Sequence, residues 1–257
     1  MRKSKKNTVS SVLETIYEDL LEDLNSYDER TIFNESAIVV SKGTVKYYPV
    51  FIFLSFTGTG MAKLIQGFTH DPYSHSSLSF DTDLTHMKSF NRDGFVTENI
   101  RDKFWSQNAD HIKYSLYMYL AKEDEYRAMR NFVAELDAKK SKLKYSIIGL
   151  TNFIFGHGDP KEDRFFCSEF VAACIEAGNK SAINSKPCMT SPYMLAKNKN
   201  FIFIRRGILK HYKFDQIDTI VTQKLAQQGF SDFVLQSVAD DSGDVVENIV
   251  EDINFFH

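Results

Sequence analysis

Cysteine is scarce in this sequence. Only Cys167, Cys174 and Cys188 occur among 257 residues, and an odd count in a chain this long excludes a disulfide framework and points to a reducing compartment. Proline is scarce too, with five residues, and no repeat or low-complexity tract stands out. The longest apolar run, Val50 to Phe56, falls far short of the roughly 20 residues that span a bilayer as a helix. A secretory signal is also missing: the basic stretch Met1 to Lys6 runs into Asn7-Thr8-Val9-Ser10-Ser11, where a signal peptide would have its apolar segment. Neither charge sign dominates. The net charge of −3 gives no reason to expect nucleic acid as a partner.

What remains is the composition of a globular protein, 43% apolar and 25% charged, large enough to build a core without staples. Residues 1–35 read as a basic arm followed by an accessory helix. Over 12–27, Val12, Leu13, Ile16, Leu20, Leu21 and Leu24 recur with a helical period. Segments 36–40 and 50–56 read as strands, the second central and covered on both faces. Thr57-Gly58-Thr59-Gly60 leads into a short helix over 61–68. This turn lacks the Gly-Lys-Ser/Thr ending of a phosphate-binding loop, so a plain strand-to-helix connection is expected. Segments 75–80 and 84–90 form a hairpin around Asp81-Thr82-Asp83, and 112–120 is a further strand.

Residues 122–138 carry Tyr126, Met129, Phe132, Val133 and Leu136 on one helical face. Segment 145–155 is apolar and reads as helical. After the loop Gly156 to Pro160 comes a helix over 165–178, with Phe166, Phe170, Val171, Cys174 and Ile175 as its buried stripe and Gly178 as its stop. Ser191-Pro192 opens another short helix, and 201–204 is a strand. Beyond Gly207 the composition shifts. The catalytic unit is placed at 36–207 and a C-terminal extension at 208–257, with a helix over 215–228 and an acidic stretch over 239–252.

A nucleophilic cysteine works best at a helix N-terminus, where unpaired N–H groups and the macrodipole favour the thiolate. Cys167 begins such a helix. Cys174 lies two turns along the apolar stripe and reads as core, and Cys188 sits in a loop. The thiolate needs a base. Of seven histidines, His75 is best placed, opening an alternating strand after a turn. His70, Asp71 and His75 have no standard zinc spacing, and no metal or other cofactor is expected.

Tyr73-Ser74-His75-Ser76-Ser77-Leu78-Ser79-Phe80-Asp81 resembles the histidine strand of permuted NlpC-type (YiiX-like) enzymes. Phe166-Cys167-Ser168-Glu169-Phe170-Val171-Ala172 is similar to their nucleophile helix. Leu143 to Ser146 and Ser191-Pro192 also fit that layout. The histidine preceding the cysteine is the order of the permuted members, shared with lecithin retinol acyltransferase-like proteins. The resemblance, over roughly residues 36–206, implies an α+β, circularly permuted papain-like fold: a mostly antiparallel sheet packed against the nucleophile helix. It implies Cys167 as nucleophile and His75 as base in a cysteine amidase or peptidase acting on peptidoglycan-type peptides.

Two other functions are compatible with it: a thiol acyltransferase or lipid-ester hydrolase, and a non-enzymatic phage virion or assembly protein retaining the fold. In the last case the terminal extensions would contact protein partners. Without a signal peptide, a cytoplasmic or virion-associated location in a bacterium or phage is expected. The family's third polar residue lies about twelve positions after the histidine. Here that position is Met87, which leaves His86, Asp81 and Ser89 as candidates.

Overall fold

The apolar run at 50–56 becomes the middle of the longest strand, and the rest of the sheet is built on both of its edges. The computed structural model describes residues 36–57, 72–146 and 163–237. The expected helices over 12–27 and 61–68, the Gly-rich turn beyond Thr57, most of 145–155 and the acidic 239–252 lie outside the described residues. Apart from Ser36 and Ser237, the described residues belong to one compact unit.

Strand β1 (Ser36–Lys42) turns into β2 (Val45–Phe56). On one edge, β2 pairs first with β1 and then with β3 (His75–Ser79). On its other edge it pairs from Tyr47 to Phe56 with the whole of β6 (Lys113–Lys122). β4 (Met87–Asn91) and β5 (Gly94–Glu98) extend the sheet beyond β3, β9 (Ile202–Ile208) lies beyond β6, and β10 (Ser231–Ser237) lies beyond β1. The six ladders joining β1 to β6 and β9 are all antiparallel. Val50 to Leu54 are fully buried, as expected for a central strand covered on both faces.

One face carries two helices. α2 (Glu123–Ala138) buries the expected Tyr126, Met129, Val133 and Leu136. α3 (Cys167–Gly178) packs against α2 and against β3 and β4. Gly178 ends α3 where the two helices close on each other: a Cβ there would lie 2.6 Å from the Glu125 carbonyl oxygen. Phenylalanine does much of the joining. Phe170 of α3 meets Phe90 at 5.7 Å in a tilted contact and Phe95 at 5.3 Å edge to face, and Phe165 meets Phe90 at 5.2 Å. Fully burying such a ring contributes about 2–3 kcal/mol, so the start of α3 is fixed rigidly on β4 and β5.

The opposite face packs Phe51, Phe53, Met87, Leu116 and Met118 against Ile100, Leu209, Tyr212, Ile217, Val221 and Leu225. Ile100 opens α1 (Ile100–Trp105), and the last three lie on α5 (Ile217–Gln227). The break expected at 207 therefore does not divide the described structure. β9 runs through it, and the segment after it completes the core. The short helix expected at Ser191-Pro192 is α4 (Pro192–Ala196), with the Ser191 hydroxyl accepting the Met194 N–H at 3.2 Å.

Three further differences concern local pairing. The returning strand of the hairpin starts at Met87 rather than Leu84. Segment 94–105, unassigned from the sequence, supplies β5 and α1. Tyr145 does not open a helix: β7 (Lys144–Tyr145) makes a short parallel pairing with β8 (Arg164–Phe165). Among the described residues, no helix is long and apolar enough to cross a membrane.

Candidate active site

Cys167 is the first residue of α3, preceded by Phe166 in an extended conformation. The first-turn Glu169 reaches back so that its Oε2 accepts the Phe166 N–H at 3.3 Å, which satisfies one of the helix's free donors. Glu169 is buried, and that burial pushes its carboxyl up to about 7 against the pull of the Phe166 N–H.

His75 opens β3 opposite Ser55, and the Ser74 N–H donates to the Ser55 carbonyl at 2.9 Å, so the chain entering the histidine is held by the central strand. The imidazole lies between two partners. Its Nε2 faces both oxygens of Glu98, at 3.0 and 3.1 Å, and the Cys167 thiol lies beside the ring, near enough to act on its charge. Glu98, the last residue of β5, accepts from the Ser77 hydroxyl at 2.5 Å and pairs with Lys103 Nζ of α1 at 3.2 Å.

The electrostatics follow from burial and charge. Burial opposes a charge on His75, but the Glu98 carboxylate and the neighbouring Cys167 outweigh it and raise the imidazole to about 10. Burial likewise opposes ionisation of Glu98. His75, Lys103 and Ser77 outweigh it and hold the carboxyl well below the usual range. Burial also pushes the Cys167 thiol up, yet His75 and the Ser76 backbone and hydroxyl bring it below its ordinary value. The Ser76 hydroxyl is buried and makes no hydrogen bond among the described residues. Tyr145 is placed beside the site by its pairing with Phe165. Its phenol is raised by burial and by the charge on Cys167.

A thiol and an imidazole backed by a carboxylate form the set of groups that nucleophilic acyl transfer uses: the thiolate attacks, the imidazolium delivers a proton, and the carboxylate orients the ring. Among the described residues no group of three or more His, Cys, Asp or Glu is placed to hold a metal ion.

The structure brings Cys167 and His75 together. Of the three candidates for the third position, Ser89 lines the site at 3.4 Å from His75 Nε2 but donates its proton to the Ser76 carbonyl at 2.7 Å. Asp81 accepts from Ser79 at 2.9 Å and lies 3.7 Å from His86, whose side chain is 62% exposed. Asp81 and His86 have no contact with His75, and Ser89 meets only the Nε2 that faces Glu98 at shorter range. Glu98 occupies that position, and sequence reasoning missed it. The signal was present: Asn91-Arg92-Asp93-Gly94 followed by Phe95-Val96-Thr97-Glu98 is an Asp-Gly turn leading into a strand. Met87, twelve residues after His75, is the cross-strand partner of Glu98. Cys174 is fully buried and its thiol is pushed up by that burial. Cys188 is buried in a 3-10 turn. His70 and His157 lie outside the described residues. The sequence matches no family model, and no curated protein matches it.

Proposed function

We propose that this chain is a cysteine hydrolase with a circularly permuted papain-like arrangement, in which Cys167 is the nucleophile, His75 the acid–base and Glu98 the residue that orients His75. One observation carries the reading: a half-buried imidazole lies beside a thiol at a helix N-terminus and faces a carboxylate that is itself held by Ser77 and Lys103. The order of elements supports the permuted arrangement, since the histidine strand precedes the cysteine helix and that helix packs on an antiparallel sheet.

The cycle starts from the thiolate–imidazolium pair. The Cys167 thiolate adds to an amide carbonyl. The oxyanion forms beside the backbone N–H groups at the start of α3, that of Cys167 among them. His75 gives its proton to the leaving nitrogen, the C–N bond breaks, and a thioester remains on Cys167. A water then loses a proton to His75 and adds to the thioester carbonyl, and expulsion of the thiolate regenerates the pair. Glu98 keeps the ring aligned throughout and does not take the proton.

Peptidoglycan-type peptides are the substrate class that the family resemblance favours. Incubating the protein and its Cys167→Ala variant with muropeptides and, separately, with short-chain acyl esters tests this. New amino groups released from muropeptides by the parent alone would support the amidase reading. Turnover of esters without muropeptide cleavage would replace it with the acyltransferase or lipid-ester hydrolase reading. No turnover together with an unreactive Cys167 would leave an assembly role.

A further inference from the structure

Glu98 is shared. Its Oε1 lies 3.0 Å from His75 Nε2 and 3.2 Å from Lys103 Nζ, so the two cationic groups share one carboxylate oxygen. Lys103 comes from α1, an element that contributes nothing else to the thiol site. Its side chain is 22% exposed, enough to have turned to solvent, and yet it points inward at the carboxylate.

The other charged groups around this pair are occupied or directed elsewhere. On the strand paired with β5, Lys88 bonds to Asp137 at 2.7 Å and to Thr97 at 3.0 Å. Lys140, Lys142 and Lys144, on the chain packed against β5, are exposed. On α1 itself, Arg101 lies over the Phe214 ring and Asp102 sits in the first turn. From the 3-10 turn facing α1, Lys210 lies over the Phe104 ring and the adjacent His211 is exposed. Among the described residues, Lys103 is the cation that reaches Glu98 from outside the Cys167–His75 pair.

A carboxylate that served His75 alone would hold the imidazolium so firmly that it became a poor acid toward a leaving amine. A second cation on the same oxygen takes up part of that charge. We infer that Lys103 is a positioning residue that shares Glu98 with His75 and so sets how tightly His75 holds its proton. This rests on the catalytic reading above.

The prediction has a definite sign. Removing a positive charge about 6 Å or less from the imidazolium, at the effective dielectric of a partly buried site, raises the His75 titration midpoint by roughly half a pH unit or more. Lys103→Met should show that rise in the imidazole 15N shifts of histidine-labelled protein, while Lys103→Arg should titrate like the parent. Cys167 alkylation by iodoacetamide at pH 7, which needs only the thiolate, should stay within about twofold of the parent in both variants. A residue with only a structural role would lower the melting temperature without moving the midpoint.

An unchanged or lowered midpoint in Lys103→Met would overturn the inference and leave the catalytic reading intact. Should Lys103→Met fold poorly, Lys103→Gln replaces it under the same criterion. An ordinary His75 midpoint in the parent, with no selective alkylation of Cys167, would overturn both.

Discussion

Replacing Glu98 by Gln keeps the shape of the side chain and removes its charge, which makes it a clean probe of the buried site. The His75 imidazole stands at about 10 against an ordinary 6.5. At about 1.4 kcal/mol per unit this corresponds to about 5 kcal/mol of differential stabilisation, shared between Glu98 and Cys167. Coulomb attraction at contact distance and an effective dielectric near 20 gives about 4 kcal/mol for the Glu98 part. Breaking a buried pair by removing one partner commonly costs about 3–5 kcal/mol. Glu98→Gln should therefore lower the unfolding free energy at pH 7 by about 2–4 kcal/mol, read from urea denaturation.

The pH dependence separates charge from packing. Glu98 has a depressed pKa, so its contribution is present above its unfolded value of 4.5 and is lost as pH falls toward its folded value. The raised pKa of His75 stabilises fully below 6.5, and this is lost as pH rises through about 10. The depressed Cys167 thiol has the opposite slope just below its ordinary 9.0, so the two oppose each other there. Above pH 9 an unfolded thiol is already ionised, and the His75 loss stands alone. The parent should therefore lose stability in acid below about pH 4.5 and again between about pH 9 and 10. In Glu98→Gln both declines should shrink. A variant within about 0.5 kcal/mol of the parent at pH 7, with both declines intact, would refute the reasoning.

Two other substitutions test the surroundings. His86→Ala removes a mostly exposed ring and should change stability by less than about 0.5 kcal/mol and leave Cys167 alkylation unaltered; a large fall in alkylation would return His86 to the third position. Gly94→Ala places a Cβ 2.7 Å from the Leu143 carbonyl oxygen at a residue with φ +100. It should cost about 2 kcal/mol or more, and a melting temperature equal to the parent's would contradict the tight approach of β5 to the Tyr145 segment.

What was legible in the sequence depended on pattern length. The strand at 50–56 and the helices at 122–138 and 165–178 carry long, one-sided apolar patterns that burial enforces. Cys167 and His75 could be picked out because each sits where an element begins, at a helix start and at a strand start. Glu98 was not legible by counting along the chain, because its place is set by register: Met87 pairs with Glu98 across β4 and β5, which moves the acid one strand outward. The parallel pairing that places Tyr145 spans two residues and leaves no period to read. The expected break after Gly207 followed a change in composition; Ile217, Val221 and Leu225 recur every four residues as a helical stripe, but that period does not say which surface the stripe covers, and with Leu209 and Tyr212 it closes the core.

The central claim is that His75 activates Cys167, and competitive alkylation measures it directly. With iodoacetamide at pH 7, Cys167 should be carbamidomethylated well ahead of Cys174 and Cys188. His75→Ala should slow that reaction at least tenfold without loss of fold. Equal labelling of the three cysteines, no labelling of Cys167, or an undiminished rate in His75→Ala would contradict the account.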